Sequence, residues 1–235
     1  MAKTRTDVEI LGASPLFAGI GEDELNRLGK LLRPVTLKAS TPLFMQDDEP
    51  DGCYALFEGT VTVSVVTQRG EESLLAVLGE GDLVGEMGLI DDQPRSASIV
   101  ALKPCRLGFL PRGEFQRFAD QHPQIYRHML ALLAGRLRDT NASFTSQQTL
   151  SLAGRLAGVL LRLAKGFGEP LDGGERTLIR QVFTQDVLAR MAGGARENVS
   201  RQINAWRRDG VLSKISRYYC IEDFERLEDE AKPLD

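Results

Sequence analysis

Histidine is almost missing from this chain, with two copies in 235 residues, and cysteine occurs three times. His122 and His128 lie in no metal motif, and Cys53, Cys105 and Cys220 are too far apart to form a CxxC pair. These scarcities argue against a zinc or haem centre and leave the cysteines as small buried or half-buried side chains. There is no apolar run of membrane-spanning length, so no membrane partner is expected. The opening residues, Met1-Ala-Lys-Thr-Arg-Thr-Asp7, carry no apolar signal core, and a cytoplasmic location is expected. No nucleophile–base set stands out. The chain reads as a non-enzyme with no catalytic cofactor.

What is present is ordinary for a globular protein, with 42% hydrophobic and 26% charged residues. The length suits two domains or one large one. A net charge of −4 argues against indiscriminate nucleic-acid binding, but the charge is unevenly spread. From Arg190 to Arg217 seven basic residues face two acids, so that segment is positive inside an acidic protein.

Residues about 14 to 33 read as a helical lead-in, with Leu25 and Leu28 behind an acidic first turn. From about 35 to 112 short β-type runs alternate with glycine turns, which means a small barrel or sandwich. Val61, Val63 and Val65 alternate with Thr62 and Ser64, a half-buried strand pattern. Within this region Gly81–Ser98 gathers glycines, Glu86 and Arg95 around a short turn of helix. Gly85, opening that turn, would let backbone N–H groups approach an anion. Arg95 offers a fork of donors that suits phosphate, and Glu86 can accept from hydroxyls such as those of a ribose. By spacing alone, an ordinary glycine turn with a solvated ion pair is the better account of the stretch.

A helix follows Pro123 to about Ser146. Tyr126, Leu130, Leu133, Leu137, Thr140 and Phe144 recur at alternating spacings of four and three. That heptad seam fits a dimer interface, or a stripe packed on its own domain. A second helix covers about 152–165, and 166–174 is a loop by composition. Helices near 184–192 and 195–208 flank Gly193-Gly194, and Leu212–Ile221 reads as a hairpin. Thr184 can cap the first of these helices. At about 100° per residue, Arg196, Glu197, Ser200, Arg201, Asn204, Arg207 and Arg208 share the polar side of the second, opposite Val199, Ile203 and Trp206. An apolar seat with a basic outer face fits a recognition helix in a major groove, arginine reading guanine and glutamate accepting from cytosine. Arg207, Arg208, Lys214 and Arg217 would serve phosphates.

Gly85-Glu-Met-Gly-Leu with Arg95-Ser-Ala, followed by Arg196-Glu197-x-x-x-Arg201, resembles the cyclic-AMP receptor protein / fumarate-nitrate regulator family of bacterial transcription factors. The resemblance runs from about Leu16 to about Glu225. It implies an α+β chain: a jelly-roll-like β-roll with its helical lead-in over 1–122, a dimerisation helix over 123–150 and a winged helix–turn–helix over 151–235. Arg95 and Ser96 match the phosphate-binding pair, and Glu86 with the backbone at Gly85 the ribose contact, with Met87 and Ala97 beside them. Thr140 matches the residue that reads adenine, and Asn141 the position through which the partner subunit reaches that base. Arg136, one turn before Thr140, is placed to pair with Glu86 in the ligand-bound state. Arg196, Glu197 and Arg201 match the base-reading triad, with Thr184, Ser200, Lys214 and Arg217 as further DNA contacts.

The implied effector is cyclic AMP, with cyclic GMP as the alternative because Asn141 carries both a donor and an acceptor. The implied partners are a second copy of the chain, palindromic duplex DNA and RNA polymerase, the last through the loop at 166–174. A relative that binds DNA without a cyclic nucleotide, or with another small ligand, is the competing expectation. Ala195 departs from the serine that often caps the recognition helix, and Gly194 is expected to substitute in part. The lack of an N-terminal cysteine cluster and of histidine in the β-roll sets the chain apart from the iron–sulfur and haem-sensing branches.

Overall fold

The computed structural model describes residues 5–66, 70 and 72–232. Residues 1–4, part of the segment read for a signal core, lie outside them. Two compact units, 1–138 and 139–235, divide within one long helix.

The first unit opens with α1 (Asp7–Ala13), earlier than the sequence pattern implied. Thr6 and Glu9 form a reciprocal capping box there, which satisfies two orphan donors and starts the helix. A single 3₁₀ turn, Pro15–Phe17, leads to α2 (Glu22–Leu31). Eight strands follow: β1 (Arg33–Leu37), β2 (Pro42–Phe44), β3 (Gly52–Glu58), β4 (Val61–Val66), β5 (Glu72–Leu78), β6 (Leu83–Val84), β7 (Ser98–Ala101) and β8 (Cys105–Pro111). They form two four-stranded sheets, ordered β1-β8-β3-β6 and β2-β7-β4-β5, which is the expected β-roll. The single turn of helix α3 (Gly88–Asp91) lies between β6 and β7. One core cluster joins Leu16, Phe17, Leu28, Phe115 and Met129 to Cys53 and Leu110 of the first sheet. The other joins Leu56, Val61, Ile99 and Leu107.

The simple alternation expected for β4 does not hold. Its register shifts between Val63 and Ser64, and Thr62 and Ser64 are buried with Val61. β4 is an inner strand between β7 and β5, and the buried Thr62 hydroxyl is satisfied by donating to Val100 O of β7 at 3.2 Å.

After α4 (Arg112–Gln121) comes α5 (Gln124–Thr149), the expected long helix. Ile125 and Met129 are buried and Leu133 packs against the same core. Leu130, Leu137 and Phe144 are 65%, 62% and 63% exposed. Leu133, placed in the seam by its spacing, therefore packs at least in part on its own unit. Tyr126 is also exposed, and its hydroxyl donates to Asp120 at 2.8 Å.

The second unit contains α6 (Leu152–Phe167), β9 (Gly168–Leu171), β10 (Arg176–Ile179), α7 (Gln185–Ala192), α8 (Arg196–Arg208), β11 (Leu212–Ile215), β12 (Tyr218–Ile221) and α9 (Phe224–Glu230). Its sheet runs β11-β12-β10-β9. The segment 166–174 is thus mostly ordered structure rather than loop: α6 reaches Phe167, and pairing with β10 recruits Gly168–Leu171 as a strand. Composition alone could not show that partner. Leu156, Leu160, Leu188, Val199, Ile203, Trp206 and Leu227 fill the core.

Arg155 fastens the end of α7. Its Nε donates to Ala192 O at 2.7 Å, Nη1 to Leu150 O at 2.9 Å and Nη2 to Gly193 O at 3.1 Å. Three carbonyls that helix ends would otherwise leave unpaired are satisfied by one planar fork. Replacing Arg155 by Ala is expected to cost about 2 kcal/mol, and Lys to restore only part, since one ammonium cannot span the three acceptors. Urea denaturation of the two variants checks this; equal stability of Lys and Arg would contradict it.

Candidate functional site

The cassette after β6 is built around two charges removed from water. Glu86 is 1% exposed and Arg95 4%. Burial of that depth requires partners, and each finds an opposite charge from a distant element. Glu86 Oε1 accepts from Arg136 Nη1, and Arg136 Nη2 also donates to Leu83 O at 2.8 Å. Arg136 and Glu86, expected to pair in the ligand-bound state, are already paired in this structure. Arg95 Nη1 donates to Gly85 O at 2.8 Å, and Nη2 to Gly52 O at 2.8 Å and Asp51 Oδ1 at 2.9 Å. The Phe44 ring covers the guanidinium, 4.3 Å from its centroid.

Gly85 does more than open a turn. Its φ is +78°, and a Cβ there would stand 2.5 Å from Arg95 Nη1, so no larger residue allows this approach. The helical turn itself starts later, at Gly88 with Met87 as its cap, so Gly85 contributes a carbonyl to Arg95 at this point rather than the first helical N–H. Ser96 is exposed and its hydroxyl lies 3.5 Å from Met87 Sδ, while Ala97 is half-buried. Thr140 and Asn141 are exposed on α5 in the second unit. The first unit thus brings Gly85, Glu86, Met87, Arg95, Ser96, Ala97 and Arg136 into one region.

Two polar atoms there are buried without a hydrogen-bond partner among the described residues: Glu86 Oε2 and Arg95 Nε. A buried carboxylate oxygen and a buried guanidinium N–H left over are an acceptor for a hydroxyl and a donor for an anion. Those are the two chemistries that a sugar phosphate supplies. Burial, with Glu86 nearby, pushes the Cys53 thiol up, so it stays protonated and takes no part. Burial also raises the Asp82 carboxyl, although Gly79 N–H and the Arg136 charge oppose this.

Sequence reasoning missed Asp51, Gly52, Phe44 and Arg112. The last donates to Gly88 O and pairs with Asp92 at the end of α3. None lies inside the glycine-rich stretch. Pairing of β3 with β6 and β8 brings the first two in, information that local spacing does not carry.

The second site lies in the C-terminal unit. Thr184 Oγ1 accepts from Val187 N at 3.2 Å and caps α7, and Gly193 ends that helix in the left-handed region at φ 62°. The cap of α8 is Ala195, not Gly194, and it supplies no side-chain hydrogen bond. Gly194 instead donates its N–H back to Ala189 O at 3.0 Å. Val199, Ile203 and Trp206 are buried, and Arg196, Glu197, Arg201, Asn204, Arg207 and Arg208 are exposed, as the projection requires. Ser200 is half-buried, and Arg201 Nη2 donates to Asn198 Oδ1. Beyond the helix a groove of ≈ 580 Å³ is lined by Asn204, Arg207, Arg208, Leu212, Ser213 and Lys214. In the hairpin, Lys214 sits 4.7 Å over Tyr219 and Arg217 5.5 Å over Tyr218.

A β-roll followed by a winged helix–turn–helix with a basic outer face is the arrangement of a class of DNA-binding transcription regulator. A cyclic nucleotide-binding domain model matches residues 34–122, and a Crp-like helix-turn-helix domain model matches 154–230. The chain is 32% identical over 199 residues to the cyclic AMP receptor protein of Thermus thermophilus, covering 85% of this chain and 88% of that one. It is 29% identical over 224 residues to a CRP-like cAMP-activated global transcriptional regulator of Mycobacterium tuberculosis, covering 95% and 99%. Among solved structures, the catabolite activator protein of Thermus thermophilus superposes with a TM-score of 0.53 at 30% identity over 93% of this chain and 98% of that one. FixK2 of Bradyrhizobium japonicum shares the fold, with a TM-score of 0.75 at 17% identity over 87% and 99%. The chain belongs to the cyclic-AMP receptor protein / fumarate-nitrate regulator family and is a DNA-binding transcription regulator with a cyclic-nucleotide-binding domain.

The uncapped start of α8 is directly testable. Ala195→Ser would give the helix a side-chain acceptor for its N-terminal donors and stabilise the C-terminal unit by about 1 kcal/mol. A shift of the urea midpoint upward checks it, and an unchanged midpoint would show that the end is already satisfied by other means.

Proposed function

We propose that the chain works as a homodimer whose binding to a two-fold symmetric DNA site is controlled by a 3′,5′-cyclic nucleotide, cyclic AMP foremost. The observation that carries this reading is the buried Glu86 Oε2 without a partner, close in the chain to Gly85 and flanked by the Arg95 fork. A ribose hydroxyl satisfies that oxygen and a cyclic phosphate offers Arg95 a charge-assisted partner. Ser96 adds a hydroxyl donor to the phosphate. The names of the relatives, which are cyclic-AMP receptors, support the same effector. Thr140 and Asn141 read the base, and Asn141 leaves cyclic GMP as the second ligand to test.

In this reading residues 1–122 sense, 123–150 dimerise and 151–235 bind DNA in the cytoplasm, where RNA polymerase is the further partner. The exposed Leu130, Leu137 and Phe144, with Tyr126, supply the apolar face for a second copy. Arg196, Glu197 and Arg201 read bases, supported by Ser200 and by Thr184 at the start of α7. Arg207, Arg208, Lys214 and Arg217 hold phosphates. Ligand acts by binding one arrangement of the dimer better than another. A second reading, DNA binding with no small ligand, is favoured by one observation, the three internal hydrogen bonds that already engage Arg95.

Titration calorimetry with cyclic AMP and cyclic GMP separates the two. Heat is expected with cyclic AMP and its loss in Arg95→Ala; silence with both ligands at millimolar concentration favours the second reading. For DNA, Arg201→Ala is expected to relax preference at one base pair of each half-site by about 1–3 kcal/mol, whereas Lys214→Ala weakens all sequences alike and flattens the salt dependence. Equal losses across sequences for both variants would remove Arg201 from base reading. Sedimentation of Leu137→Asp is expected to show monomers where the parent chain is dimeric.

A further inference from the structure

The guanidinium on which phosphate recognition depends is already committed inside the protein. The Arg95 side chain is 3% exposed, and of the groups that hold it only Asp51 carries charge. The division of labour is clear. The carbonyls of Gly85 and Gly52 and the Phe44 ring fix the arginine in place, and Asp51 neutralises it. Asp51 itself stands largely in water, with its side chain 64% exposed. The Arg95 backbone is held to an acidic turn, Asp47-Asp48-Glu49-Pro50-Asp51, by Arg95 N donating to Asp48 O at 2.9 Å and Asp47 N donating to Arg95 O at 2.8 Å.

We propose that Asp51 is the internal anion that a ligand's phosphate displaces from Arg95, and that it thereby sets which anions the site accepts. The proposal rests on the cyclic-nucleotide reading above. A carboxylate and a phosphodiester each carry one negative charge, so the exchange is charge for charge, and Arg95 stays neutralised throughout. Asp51 returns to solvent, where its own hydration offsets much of the lost ion pair. Arg95 keeps its place because the two carbonyls and the ring do not leave with Asp51.

The consequence is selectivity. An anion that brings nothing else must compete with a tethered carboxylate, beside a turn that repels it. A cyclic nucleotide brings in addition a sugar hydroxyl for Glu86 Oε2, the buried acceptor without a partner. Asp51 thus filters out anions that cannot satisfy Glu86 as well.

The test is calorimetry on the full chain and on Asp51→Asn, with cyclic AMP, inorganic phosphate and adenosine as probes. The variant keeps the size of the side chain and removes its charge. It is expected to bind cyclic AMP about fivefold more tightly, the scale of a partly exposed ion pair. Inorganic phosphate is expected to compete with cyclic AMP in the variant at concentrations that leave the parent chain untouched, while adenosine, which has no phosphate, binds both proteins alike. Equal or weaker binding of cyclic AMP by Asp51→Asn, with the parent chain binding normally, overturns the proposal and makes Asp51 a residue that positions Arg95 for the ligand. Should neither protein bind any cyclic nucleotide, the effector reading fails and takes this proposal with it. Thermal melting without ligand verifies the fold, and Asp51→Ser repeats the test if Asp51→Asn melts early.

Discussion

A buried charge has to be answered by another charge, and this one constraint organises the N-terminal unit. Glu86 and Arg95 both lie almost wholly out of water on the strand-to-strand connection after β6. Neither is answered locally. Arg136 comes from α5, and Asp51 from the start of β3. Each ion pair therefore ties the cassette to a separate piece of the fold, one to the long helix and one to the sheet. Hydrogen bonds from the same arginines to Leu83 O, Gly85 O and Gly52 O turn point charges into defined geometry. A ligand that alters either charge changes what holds α5 to the β-roll or what holds Arg95 to β3.

The long helix is apolar on more than one side, and only one side is used within its own unit. Ile125, Met129 and Leu133 pack on the core, whereas Leu130, Leu137 and Phe144 face solvent. Exposed leucines and a phenylalanine at heptad spacing are costly for a lone chain and favourable between copies. The Arg136 pair with Glu86 lies on this same helix, one residue before Leu137. In the proposed dimer, the residue that answers the cassette's carboxylate is thus a direct neighbour of the seam. Ligand occupancy and subunit contact then act on the same turn of helix, without a long chain of intermediates.

Much of the fold was legible because its signals are local. The heptad seam, the glycine turns, the Thr184 cap and the apolar face of α8 all depend on residues within a few positions of one another. What failed to show depends on pairing at a distance. The strand at Gly168–Leu171 looked like loop because its partner, β10, was not recognised. Thr62 and Ser64 looked solvent-facing because the register shift between Val63 and Ser64, and the burial of both hydroxyls, arise only when β4 is paired in its sheet. The site divides the same way. Gly85, Glu86 and Arg95 carry their chemistry in their side chains or their conformation, and the family resemblance, rather than spacing alone, singled them out together with Arg136. Asp51 and Phe44 sit in unremarkable stretches some forty residues earlier and gain a role only when β2, β3 and β7 are folded together.

The C-terminal unit handles charge differently. Arg196, Arg207 and Arg208 on α8 are exposed, while Arg155 is engaged by carbonyls and Lys214 and Arg217 lie over tyrosine rings. Arg201 is held by Asn198 three residues before it on the same helix. An arginine oriented before contact loses less side-chain freedom when it engages a base, and a fixed fork discriminates better than a mobile one. The cost appears at the start of the same helix, where Ala195 gives no cap. In the proposed DNA complex, a recognition helix with an oriented Arg201 and no side-chain cap on its first turn has its geometry set mainly by its packed face, through Val199, Ile203 and Trp206. Its aim is then dictated by the body it sits on. In the proposed switch the ligand need not touch the reading residues, since it acts by favouring one arrangement of the dimer over another.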